Sequence, residues 1–163
     1  ALHRFSGFSA SATQCRPLSR GNVQLSSADP MAAPRIVANY LQHPQDAKVL
    51  VAGLKQLRDI FAQPAFKALL TGEEYFPGNQ VLTDQALEQF AREKGGTVYH
   101  PVGTCRMGED DTAVVDSRLR VRGVEGLRVI DASVMPRMVS TNTNAAAIMI
   151  GEKGAAMMLQ DAV

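Results

Sequence analysis

The stretch "NAAAIMIGEKGAAMMLQ", Asn144 to Gln160, constrains the fold more than any other. Its small and apolar residues predict a buried helix from about Asn144 to Leu159, with Gly151 and Gly154 inside it. A glycine within an exposed helix costs roughly 1 kcal/mol relative to alanine. What it offers in return is the close backbone approach that a missing Cβ permits. The helix is therefore expected to press against other chain, and the residues before it must supply that surface.

Those residues change character after Gly96. "VVDSRLRVRGVEGLRVIDASVMP" holds two short apolar stretches, Val114-Val115 and Leu127–Ile130, with turn residues Gly123 and Gly126 between them. Asp131 follows the second stretch, which reads as an apolar strand. Further upstream, "GNVQLSS" alternates, with Val23 and Leu25 on one face, as a half-buried strand does. "PRIVANYL" (Pro34–Leu41) is a second strand candidate, and Ala28–Ala33 with Pro30 is the turn between them. Asp46 suits a helix cap. Val49, Leu50, Leu54, Leu57, Ile60 and Phe61 then recur at helical spacing until Pro64. "AFKALLTG" predicts a short helix closed by Gly72, and Pro77-Gly78 a turn. Thr83 can cap a further helix that buries Leu87, Phe90 and Ala91 and stops at Gly95-Gly96. The fold class is α+β. Residues 1–14 form a poorly patterned segment, 15–98 a portion of strands and helices, and 99–163 a loop-rich region closed by the last helix.

The 163 residues suffice for one domain with a sizeable core. A net charge of +1 gives no basic patch for nucleic acid. No apolar run reaches the roughly 18 residues of a membrane span, and no secretory leader opens the chain. Cys15 and Cys105 form no paired motif, so both are expected to be free thiols in a reducing compartment. The expected location is the cytoplasm, or the periphery of the inner membrane. His3, His43 and His100 show no ligand spacing, and no metal is expected. There is no GxSxG, Walker, HExxH or GxGxxG motif. A first residue of Ala1 suggests a processed or truncated product.

One histidine stands in a motif-like setting. In "YHPVGTCRMG" (Tyr99–Gly108), Pro101 stiffens the chain after His100 and Gly103 allows a tight turn. A pinned imidazole can take a proton from an alcohol; it can equally be a core histidine with both nitrogens satisfied. Asn142 and Asn144 open the last helix, where they can cap it, or where the helix N-terminus can face an anion. Asp131, followed by small Ala132 and Ser133, suits a sugar or ribityl hydroxyl, or caps a turn. These alternatives stay open on spacing alone.

Taken in order, "YHPVGTCRMG", "VVDSRLRVRGVEGLRVIDASVMP" and "NTNAAAIMIGEKGA" closely resemble the carboxyl-terminal part of the glucose–methanol–choline (GMC) flavoprotein oxidoreductases, choline-dehydrogenase-like members above all. "CRPLSRGNVQLSS" with "PRIVANYL" resembles that family's substrate-domain sheet, so the likeness runs from Cys15 to Leu159. It implies a substrate-domain sheet with flanking helices, plus the last strand and helix of an FAD-binding domain whose amino-terminal Rossmann half lies elsewhere. It implies FAD as cofactor and a small primary alcohol such as choline as substrate, with hydride passing to flavin N5. His100 is implied as the catalytic base and Asn144 as its partner at the substrate oxygen. Asp131, Ala132 and Ser133 are implied along the ribityl–pyrophosphate chain, and Ala145 and Ala146 at the helix start facing the flavin pyrimidine. Arg120 and Val121 are implied near the cavity, and Glu73, Tyr75 and Phe76 are candidates for a cage around a substrate cation. The electron acceptor, oxygen or a quinone-type carrier, is not implied. The alternative is a catalytically silent fragment that serves as a folding or interaction module without bound FAD.

Overall fold

A computed structural model describes residues 4–162, and His3 lies outside the described residues. The architecture is mixed: helices with one small sheet, divided into two compact units. One unit takes in the chain up to Gln14 and Asn39–Gly96, and the other Cys15–Ala38 and the chain from Thr97 onward.

The first unit is helical. Helix α1 spans Pro44–Phe61, and the predicted cap Asp46 is inside its first turn. The cap is His43, whose Nδ1 accepts from the Gln45 N–H at 3.1 Å. The displacement follows from Pro44: proline has no N–H to leave unsatisfied and its fixed φ suits the first helical position, so the helix begins there. Pro64 opens the single-turn helix α2 (Pro64–Lys67), shorter than the helix predicted from "AFKALLTG". Helix α3 (Asp84–Lys94) starts as expected, with Thr83 Oγ1 accepting from Ala86 N–H at 3.2 Å, and it ends at Gly95. Helices α1 and α3 pack together, and Ala47, Val51, Leu87 and Ala91 are buried. Phe90 is only half-buried and meets Phe76 edge-on at 4.8 Å. The loop between α2 and α3 is fastened to α1 by Arg58, which donates to Val81 O at 2.6 Å and Gly78 O at 3.1 Å and pairs with Glu74.

In the second unit, strands β1 (Asn22–Gln24) and β2 (Arg35–Val37) pair antiparallel, Val23 opposite Ile36. Strand β1 lacks the half-buried face that alternation predicted: Val23 is 49% exposed and Leu25, just beyond it, 89%. The predicted Pro34–Leu41 strand stops at Val37, ahead of Asn39 and Leu41, which take left-handed φ values of 53° and 57°. The core is Val115, Leu119, Val134, Met135 and Ile150, with Val121, Val129, Ile130 and Met157 packed around it. The two apolar stretches feeding that core are not strands. Single bridges join Met107 to Val115, Val115 to Val121 and Arg120 to Arg128. Left-handed Leu119 (φ 64°), Gly123 (φ 77°) and Gly126 (φ 72°) turn the chain too often for a ladder to extend.

Helix α4 (Asn144–Asp161) presses against this surface through one of its two glycines. A Cβ at Gly154 would lie 2.3 Å from Ile130 Cγ2, whereas a Cβ at Gly151 would meet nothing within 4 Å. Nor is the helix buried all round, since Ile148, Met149 and Leu159 are exposed. Its last turn is tied down through Asp161, which accepts from Arg118 Nη2 at 2.6 Å and pairs with Arg128.

Candidate active site

The loop that carries His100 is bent at two left-handed positions. Tyr99 takes a left-handed φ of 58° although 83% exposed, and Gly103 one of 88°. A left-handed non-glycine residue costs on the order of 1–3 kcal/mol and persists only where its surroundings impose it. At Tyr99 the N–H donates to Thr97 Oγ1 at 3.0 Å, and beyond Gly103 two backbone bonds hold the chain: Cys105 N–H to Ser133 O at 3.0 Å and Met107 N–H to Val134 O at 2.9 Å. They lace the loop to the 3₁₀ turn Ala132–Val134, which follows Asp131. His100 is half-buried at the loop's start, and its Nδ1 lies 2.9 Å from Thr143 Oγ1.

Thr143 is the N-cap of α4, so that bond brings His100 to the start of the helix. Neither Asn142 nor Asn144 caps it, and Thr143 makes no side-chain cap bond either. The first helical bond runs from Ala147 N–H to Thr143 O at 2.9 Å. The N–H groups of the first turn, from Asn144 to Ala146, therefore have no intrahelical acceptor, and the helix dipole adds positive potential there. Asn144 and Ala145 are exposed and Ala146 is half-buried. His100 and Asn144, 44 residues apart in sequence, thus share one helix end. Sequence reasoning missed Thr143. The signal was present, since threonine directly before the helix start is itself a favoured cap.

Asp131 is exposed and precedes the 3₁₀ turn, with Oδ1 accepting from the Ser133 N–H at 2.7 Å and from the Ser133 hydroxyl. Its Oδ2 has no hydrogen-bond partner among the described residues. The turn-capping role is observed, and it leaves one carboxylate oxygen open. Arg120 is engaged by Asp116 through its backbone N–H at 2.9 Å and its Nε at 3.1 Å, and Val121 packs against the core. Burial alone would raise the Asp116 carboxyl. The backbone N–H groups of Arg120 and Arg118 and the charge of Arg120 outweigh that and hold it below the usual range. Hydrogen bonds from Arg106 and Thr112 hold the Asp110 carboxyl well below that range too.

The cage candidates belong to the other unit. Tyr75 meets Phe5 edge-on at 5.2 Å, Phe76 packs on Phe90, and Glu73 Oε2 accepts from Asn79 Nδ2 at 2.6 Å. Cys15 and Cys105 are both half-buried, and no disulfide joins them. Among the described residues no cluster of His, Cys, Asp and Glu could hold a metal ion, and no helix is long and apolar enough to cross a membrane.

Comparison with known proteins gives this arrangement a context. The GMC oxidoreductase carboxyl-terminal family model matches residues 17–151. The chain is 46% identical over 147 residues to the oxygen-dependent choline dehydrogenase of Proteus mirabilis (strain HI4320), a match covering 90% of this chain and 26% of that protein. It is similar in structure to a fungal aryl-alcohol oxidase, with 36% identity, a TM-score of 0.81, and coverage of 90% of this chain and 24% of the other. An FAD-dependent oxidoreductase from Chaetomium thermophilum is similar at 33% identity and a TM-score of 0.80, covering 90% and 26%. The chain thus spans about a quarter of the length of the curated relative. With a family model covering most of its residues, the chain belongs to the GMC oxidoreductases.

Proposed function

We propose that these residues form the substrate-facing and flavin-facing end of an FAD-dependent enzyme that oxidises a primary alcohol, with His100 as the base and Asn144 as its partner. The observation that carries this reading is the meeting of His100 and the start of α4 through Thr143. A bound flavin supplies the hydride acceptor. The chain's own residues supply the rest. The imidazole of His100 takes the hydroxyl proton, and Asn144 donates a hydrogen bond to the oxygen as negative charge grows on it. The uncapped N–H groups of the first turn of α4 favour an electron-rich ring edge, and Ala145 and Ala146 present only methyl groups beside it. The open Oδ2 of Asp131 is an acceptor for a ribityl hydroxyl, with Ala132 and Ser133 as the small residues beside it. Donor set and shape thus suit the flavin.

Choline is the first alcohol to test, since the curated relative is named for its dehydrogenation. In the holoenzyme, anaerobic stopped-flow bleaching of the flavin measures the step. His100→Ala is expected to slow reduction by roughly 10²- to 10⁴-fold while FAD stays bound. Asn144→Ala is expected to slow it too, with losses that do not add fully, because both groups act on one oxygen. Parental flavin reduction in His100→Ala would make His100 a packing residue and end this reading.

A further inference from the structure

We propose that Thr143 is a positioning residue that fixes the tautomer of His100, accepting a hydrogen bond from Nδ1–H so that Nε2 presents its lone pair to the substrate. The proposal rests on the reading of His100 as the base. A neutral imidazole carries one proton, and only the nitrogen without it can act as a base. In a free histidine both tautomers are populated, so a site that needs one nitrogen bare must hold the proton on the other. Oγ1 of Thr143 lies 2.9 Å from Nδ1, and that side chain is 7% exposed, so water has little access to compete for the bond.

The second observation is what the hydroxyl does not do. An N-cap threonine ordinarily accepts from an N–H of the first turn, yet Thr143 makes no such bond. The acceptor capacity that would stabilise the helix is directed at His100 instead. The left-handed Tyr99 and the two backbone bonds from Cys105 and Met107 hold the loop on the other side of that contact. Loop and helix are therefore both built toward one imidazole nitrogen, and the same bond steadies the cation formed once Nε2 has taken a proton.

The bond alone admits either direction, because a hydroxyl both donates and accepts. The experiment therefore reads the proton directly. Long-range ¹H–¹⁵N spectra of the 163-residue chain, above the titration of neutral histidine, report the tautomer, with His100→Gln assigning the signal. The expected result is the Nδ1–H form in the parent, mixed tautomers in Thr143→Val, and the Nδ1–H form again in Thr143→Ser. In the holoenzyme, Thr143→Val should lower the rate of flavin reduction by about 10- to 100-fold with KM little changed, and Thr143→Ser should recover most of it. An Nε2–H tautomer in the parent would overturn the proposal, as would parental reduction by Thr143→Val or a serine variant as slow as the valine one. Parental reduction by His100→Gln would remove the base reading and this proposal's catalytic half with it. The spectra keep the two failures apart, since they report the tautomer without reference to turnover.

Discussion

At the scale of single residues, the two glycines of α4 separate what sequence can and cannot say. Both promised close approach, and only Gly154 delivers it, because Ile130 is pressed where its Cβ would be. Nothing in the local sequence tells the two apart; the difference is the placement of a residue 24 positions upstream. Gly154→Ala forces a β-branched side chain in a packed core to move and is expected to destabilise the chain by about 1–3 kcal/mol. Gly151→Ala meets open space and is expected to stabilise by up to about 1 kcal/mol through helix propensity alone. Thermal or denaturant melts of the two variants should shift in opposite directions, and a shared direction would contradict the packing described at Ile130. Asn144 was legible as a helix start. Its expected capping role was not fulfilled, because caps are decided by which side chain turns back on the helix, and Thr143 turns toward His100.

At the scale of elements, helices α1, α3 and α4 were readable from periodicity and stop signals, and the region between Val114 and Ile130 was not. Leu127–Ile130 looks like a strand because it is a short apolar run before Asp131, yet the region is joined by single bridges around left-handed turns. Strand β1 misled in the opposite way, since alternation implied a covered face for Val23 and Leu25 that the chain leaves exposed. The far end of α4 invites a test of its own. Hydrogen bonds from Arg118 and then Arg128 hold the Asp161 carboxyl below its ordinary value. A depressed folded value means that the contribution to stability is present above the unfolded value, near 3.9, and is lost as the pH falls through the folded one. Amide protection in the last turn of α4, the exchange rate measured against that of an unstructured peptide at the same pH, is therefore expected to fall on acidification below about pH 3.9. Asp161→Asn should show that lower protection already at neutral pH, with less further change on acidification. Equal protection in both proteins at neutral pH would mean that the two arginines do not hold the turn.

At the scale of the whole molecule, the family was legible because three motifs occur in order, although no spacing rule alone places His100 at the head of a helix 44 residues away. The phosphate-cradling glycine loop was read as absent from these residues, and that carries a consequence for binding. The 163-residue chain is expected to hold FAD weakly or not at all, because the loop that would cradle the phosphates is not among its motifs. Titration followed by flavin fluorescence would show this, and a dissociation constant of about 1 μM or tighter would contradict it. The division into two units also fixes an order of events in time. Asn39–Gly96 is an excursion of 58 residues inserted between two parts of the same unit. At roughly 5–20 residues per second of synthesis, the strand pair and Arg16 wait on the order of 3–12 s before the rest of their unit begins to emerge. Ser140, to which Arg16 donates at 2.8 Å, emerges later still. A growing chain therefore passes through a stage in which Asn39–Gly96 has emerged while the strand pair still lacks the residues from Thr97 onward, the stage at which a chaperone or a protease would meet it.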